Sequence, residues 1–130
     1  MEEDVVTIVK DDALFDLQLI IDPVIRDQSA LLRHLEGRGL FEIDAPINGL
    51  YLPIDQAFAT KLGCSRYSSD PLPSYREGML QELLKIELSP DGQSTMHGGD
   101  ASATPRVVEA VWQLQATIKV ALTNGDLILA

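Results

Sequence analysis

The sequence predicts a mostly helical α+β fold in one domain, and three observations carry that expectation. Apolar residues recur at helical spacing in three separate stretches. β-prone runs are short and confined to the first half of the chain. With 45% hydrophobic residues in 130 positions there is material for one core and no room for a second, so a small β element packed against four or so helices should occupy residues 1–130 with ordinary stability, roughly 5–15 kcal/mol.

Residues 5–9 (Val-Val-Thr-Ile-Val) and 17–21 (Leu-Gln-Leu-Ile-Ile) are apolar or β-prone with Asp11, Asp12 and Asp16 between them, and are expected to pair as short strands. Asp22-Pro23 reads as an N-cap followed by proline at the first helical position. Val24, Ile25, Gln28, Leu31, Leu32 and Leu35 then predict one helix that runs to Gly37 and Gly39. From Leu40 to Pro53, Pro46 and the Asn48-Gly49 turn predict a loop followed by a short strand. Asp55 should cap a brief helix over residues 56–62, ended by Gly63. Ser74 and Glu77 have capping-box spacing, and Met79, Leu80, Leu83, Leu84 and Leu88 continue an amphipathic face. Residues 89–103 are small, polar and glycine-rich, which predicts a mobile surface loop. Thr104-Pro105 should open a long last helix over 104–122. Its inward face is expected to hold Val107, Val108, Val111, Trp112, Leu114, Gln115, Ile118, Ala121 and Leu122, with Asn124-Gly125 closing it.

Charge narrows the function. Twenty carboxylates against ten Lys and Arg give a net charge of -10 and oppose direct nucleic-acid binding, because each phosphate contact needs a cation to displace a counterion. An acidic surface either keeps a small protein soluble or matches a basic partner. The single Cys64 rules out an internal disulfide and a CxxC zinc site, as expected of a reducing compartment. Met1-Glu2-Glu3-Asp4 is acidic where a secretory leader is basic, and no apolar run reaches the roughly 20 residues that span a bilayer, so a cytoplasmic location is expected.

Isolated reactive side chains offer little. His34 and His97 are the two histidines. His34 lies among leucines near a helix end and suits a surface or helix-dipole role. His97 with Asp100 supplies only two ligands on a glycine-rich segment, a poor metal site. Cys64 has no histidine beside it to act as base and reads as a small buried thiol. Gly98-Gly99 is not followed by the Lys and Ser/Thr of a phosphate loop.

Three segments together carry a resemblance: Leu19-Ile20-Ile21-Asp22-Pro23, Asn48-Gly49-Leu50-Tyr51-Leu52-Pro53, and Ser68-Ser69-Asp70-Pro71-Leu72-Pro73-Ser74-Tyr75. Over about residues 17–88 the chain resembles the AHH family of the HNH and endonuclease VII superfamily, which supplies nuclease domains to bacterial polymorphic toxin systems. The resemblance implies histidines near Gln18 and Leu19 and at Ser68 and Leu72, and none of these is a histidine. Hydrolysis of a phosphodiester in that way needs an imidazole to deprotonate water and a metal held by His or Asp, functions that glutamine and leucine do not supply. Asn48 and Gly49 can hold their turn structurally.

The resemblance and the charge together imply a degenerate, non-catalytic relative of such nucleases. It would act as an immunity protein that binds and neutralises a basic nuclease toxin, with no cofactor and no direct nucleic-acid or membrane contact. Acidic residues Glu2, Glu3, Asp4, Asp11, Asp12 and Asp16 are the expected partner-binding patch. Two alternatives are a metal-dependent nuclease with a substituted site built on His97, Asp100 and Asn48, and an adaptor or homodimer joined through the helices over 75–88 and 105–122.

Overall fold

The computed structural model describes residues 14–130, so the expected strand at 5–9 and the acidic Glu2, Glu3, Asp4, Asp11 and Asp12 lie outside the described residues. Strand β1 (Phe15–Leu19) pairs antiparallel with β2 (Gly49–Pro53), Leu17 facing Tyr51 and Gln18 facing Leu50. The ladder runs one step beyond each end, through Ile54 N–H to Leu14 O at 3.0 Å and Ile20 N–H to Asn48 O at 2.8 Å. Six α-helices complete the described residues, giving a mostly α version of an α+β fold.

Where one helix was expected from Asp22 to Gly37 there are two, α1 (Pro23–Gln28) and α2 (Ala30–Gly37). Asp22 caps α1 as expected, Oδ1 accepting from Ile25 N–H at 2.9 Å with Pro23 next in line. The break is at Ser29, whose backbone is extended. Its N–H closes α1 onto Arg26 O, and its hydroxyl caps α2 by accepting from Leu32 N–H at 3.2 Å. Serine does this readily because its short side chain reaches nearby backbone amides. The apolar stripe continues across the corner, since Ile25, Leu31, Leu32 and Leu35 are all buried.

A short 3-10 turn (Pro46–Asn48) delivers the chain into β2, and α3 (Gln56–Leu62) follows with the expected Asp55 cap and Gly63 stop. Helix α4 (Pro73–Leu88) starts one residue before the expected capping serine. Proline takes the first helical position and Ser74 makes no cap; Leu72 stands at the N-cap, its N–H tied to Leu129 O at 2.8 Å. Residues 89–103 are not the expected loop, because Pro90–His97 forms helix α5, capped by the Ser89 hydroxyl through Gly92 N–H at 3.0 Å. Gly92 is buried at a sharp corner, where a Cβ would collide with the carbonyl oxygens of Ile86 and Glu87. A glycine signal that suggested a loop marks a tight helix-to-helix turn.

Helix α6 (Ala103–Asn124) ends at Gly125 in the left-handed region, φ 76°, where a side chain would strain the backbone and also press on the Gly63 carbonyl. Val107, Val111, Gln115 and Leu122 are buried along it. Trp112, expected in the core, is 50% exposed. The common core joins Ile20, Ile21, Leu52, Tyr75, Met79 and Leu83 to the buried faces of α1, α2 and α6. The last residues close it: Leu129 is buried, with its N–H on Ser65 Oγ at 3.0 Å. No helix among the described residues is long and apolar enough to cross a membrane.

Candidate functional site

Asn48 is fully buried and its carboxamide is saturated. Oδ1 accepts from Ile21 N–H at 2.8 Å and from Gln115 Nε2 at 3.1 Å. Nδ2 donates to Ile21 O and Ile43 O, both at 2.8 Å. The side chain therefore staples three chain segments, residue 21, residue 43 and α6, around the turn that enters β2. Asn48 closes the 3-10 turn and Gly49 is already the first residue of β2; the asparagine ties that turn to the end of β1 and to the last helix.

Two of the positions where the resemblance implies histidines meet in space. Gln18 is buried on the inner face of β1, and its Oε1 accepts from Ser68 N–H at 2.9 Å. A shallow cleft of about 150 Å³ lies beside them, lined by Leu17, Leu19, Asp22, Tyr67, Ser69 and Pro71 as well. Leu72 is 43% exposed at the start of α4 and carries no polar atom to the cleft. At its edge Asp22 Oδ2 accepts from Arg76 Nε and NH2 at 2.9 and 2.7 Å, and Asp70 takes a further bond from the same guanidinium at 2.8 Å. This double pairing raises the Arg76 pKa, chiefly through the hydrogen bonds it donates to Asp22. Tyr75 donates to Ile20 O at 2.6 Å, and burial, with Asp22 second, pushes its phenol well above the ordinary range. Polar groups here join β1, α1 and α4 to one another.

The other candidates are dispersed. Among the described residues no three His, Cys, Asp or Glu side chains cluster closely enough to hold a metal ion. His97 is exposed at the end of α5. Asp100 accepts from Ser102 and from Arg106, which together hold its carboxyl below the usual range, the Ser102 hydroxyl contributing most. Asn48, the third member of that proposed set, is in the core and occupied. His34 stands in the last turn of α2, half-buried, and its Nε2 is enclosed without a partner among the described residues, so it is less of a surface residue than expected. Cys64 is half-buried rather than buried.

Of the expected acidic patch, Asp16 is described: it is exposed on β1, its Oδ1 accepting from Leu17 N–H at 2.7 Å. The sequence reading missed the opposite face of the ribbon. Alternation along the ribbon puts Phe15, Leu17 and Tyr51 on the outer face, 41, 44 and 67% exposed. Phe58 of α3 packs edge-on against Phe15 with ring centroids 5.6 Å apart. The signal was present in the period-two spacing of Phe15 and Leu17, which places both on the face opposite Gln18. Exposed aromatic and aliphatic side chains gathered on one face are the kind of surface that protein partners cover. No family model, curated protein or solved structure matches this chain.

Proposed function

We propose that the chain is a non-catalytic immunity protein of the cytoplasm, which binds and neutralises a basic nuclease toxin through the outer face of its β-ribbon. The observation that carries this reading is the exposed Leu17 and Tyr51 pair, directly opposite each other on the ribbon, in a chain of net charge -10. Tyr51 supplies a rigid amphipathic anchor of the kind that dominates protein interfaces. The net charge of -10 draws in a cationic surface such as one that normally grips DNA. The Gln18 to Ser68 contact supports the non-catalytic part of the reading, since an acceptor engaged by a backbone amide fits a structural role.

The test is titration of the purified chain against a basic AHH-type nuclease domain, by calorimetry and by protection of plasmid DNA, at low and high salt. Tyr51→Ala is expected to weaken binding at least tenfold, as loss of an interface anchor does, and raising the salt should weaken it further. Binding that ignores both salt and Tyr51, or no protection of the plasmid, overturns the proposal. A homodimer through the same face would set one chain of charge -10 against another, and light scattering of the chain alone would reveal it.

A further inference from the structure

The network at Asn48 leaves one polar atom over. Because Ile21 N–H meets Oδ1 while Ile21 O and Ile43 O meet Nδ2, three backbone groups fix which way the Asn48 amide points. Gln115 must then present Nε2 to Asn48 Oδ1, since its own oxygen there would face another acceptor. Oε1 of Gln115 is consequently buried with no hydrogen-bond partner among the described residues, although Gln115 itself is only 1% exposed. Buried acceptors without partners are rare in folded proteins, and each asks for an explanation.

Gln115 forms part of the wall of a cavity of about 360 Å³, at the small end of the range for ligand pockets. Leu40, Phe41, Ala45, Pro46, Ile47 and Trp112 supply its apolar lining, and the exposed Glu42 stands at its mouth. Trp112 is half-exposed because its helix face borders this cavity, not the core. The larger groove between α4 and α6, about 640 Å³, offers no comparable feature: its Arg106 is paired with Asp91 and its Lys85 with Glu82.

We infer that this cavity is a binding site for a small planar aromatic molecule bearing one N–H or O–H donor, which packs against Trp112 and Phe41 and donates to Gln115 Oε1. The ring fills an apolar slot, and its donor satisfies the leftover acceptor. The site is independent of the ribbon face and of any protein partner, so it stands or falls without the reading given above.

Phenol and anisole are the probes, matched in shape but differing in the donor. Trp112 is the only tryptophan, so its fluorescence excited at the red edge reports occupancy. Phenol is expected to change that emission saturably and to bind about fivefold more tightly than anisole, the ratio that one net hydrogen bond gives. Gln115→Met keeps the bulk and removes the acceptor, and the preference for phenol should disappear. Should that variant fail to fold, amide and side-chain NMR shifts of the wild-type chain decide: phenol should perturb Gln115, Trp112 and Ile47. Equal affinity for the two probes, no saturation at millimolar phenol, shifts centred on Ile86 and Val107 in place of Trp112, or an unchanged preference in folded Gln115→Met would each overturn the inference.

Discussion

Replacing Asn48 with alanine should cost this protein a large share of its stability, and the amount follows from the groups left behind. Four hydrogen-bonding groups lose their partner: Ile21 N–H, Ile21 O, Ile43 O and Gln115 Nε2. The site is fully buried, so water does not simply take over. A buried polar group left unpaired costs about 1–3 kcal/mol. Taking the low end for each, because neighbouring losses overlap and the backbone relaxes, gives about 4 kcal/mol, about a quarter or more of the roughly 5–15 kcal/mol of a typical domain. For a chain of this size that corresponds to a fall in Tm of about 12–20 °C. Asn48→Asp is the sharper variant: it preserves the shape and the acceptors but loses both donors and sets negative charge against the carbonyls of Ile21 and Ile43. It should be at least as damaging as alanine at neutral pH. Thermal and urea unfolding followed by circular dichroism and by Trp112 emission measure both. An Asn48→Ala variant within about 3 °C of wild type, or an Asn48→Asp variant close to wild type, would refute the view that this amide staples the fold.

Two further predictions test the packing around it. Tyr75→Phe removes the bond to Ile20 O and should cost about 1–2 kcal/mol at neutral pH. Because burial and then Asp22 raise the folded-state pKa of Tyr75, its contribution is complete below the unfolded value of about 10 and is lost as the pH climbs above it. The gap in urea midpoint between wild type and Tyr75→Phe should therefore narrow between about pH 9 and 11; a constant gap would contradict the assignment. For the helix corner, Gly92→Ala should destabilise by about 3 kcal/mol through collision with the Ile86 and Glu87 carbonyls. Gly78→Ala in α4, exposed with nothing near its Cβ position, should stabilise by about 0.5–1 kcal/mol. Opposite signs in chemical denaturation are the expected result, and equal signs would sink the argument.

Elements bounded by local chemistry were legible in the sequence. Asp55 and Gly63 bracket α3 because an aspartate cap and a left-handed glycine act within a few residues, and Asp22-Pro23 opens α1 for the same reason. What escaped prediction depended on distant chain. The apolar stripe runs through Ser29, so nothing in its spacing discloses the corner between α1 and α2. Ser74 has the right spacing for a capping box, but Leu72 is held by Leu129, fifty-seven positions along, and the helix begins at Pro73 instead. Gly92 looks like loop composition until the end of α4 is found pressed against it. Trp112 lies one residue round the helix from Val111, enough to turn it out of the stripe formed by Val107, Val111 and Gln115. The candidate sites divide in the same way. The turn role of Asn48 could be read from its neighbours in sequence, whereas its union with Gln115 joins positions 67 apart.

That union also limits what Asn48 and Gln18 can do. An asparagine free to orient a reacting group would have to keep a donor or an acceptor in reserve, yet both amide protons and the oxygen of Asn48 already face protein. Drawing the side chain toward a substrate would strip bonds from residues 21 and 43 and loosen the exit from β1 and the entry to β2 at once. Gln18 is committed in the same sense, since releasing Ser68 N–H would unpin the segment that leads into α4. The stability these residues supply is reason enough for their identity, whereas Tyr51, 67% exposed with Leu17 beside it, is not explained by the core. If the proposed interface is right, substitutions that leave the unfolding curve unchanged and abolish partner binding should fall at Leu17 and Tyr51, and those that lower stability as well as binding should fall at Asn48.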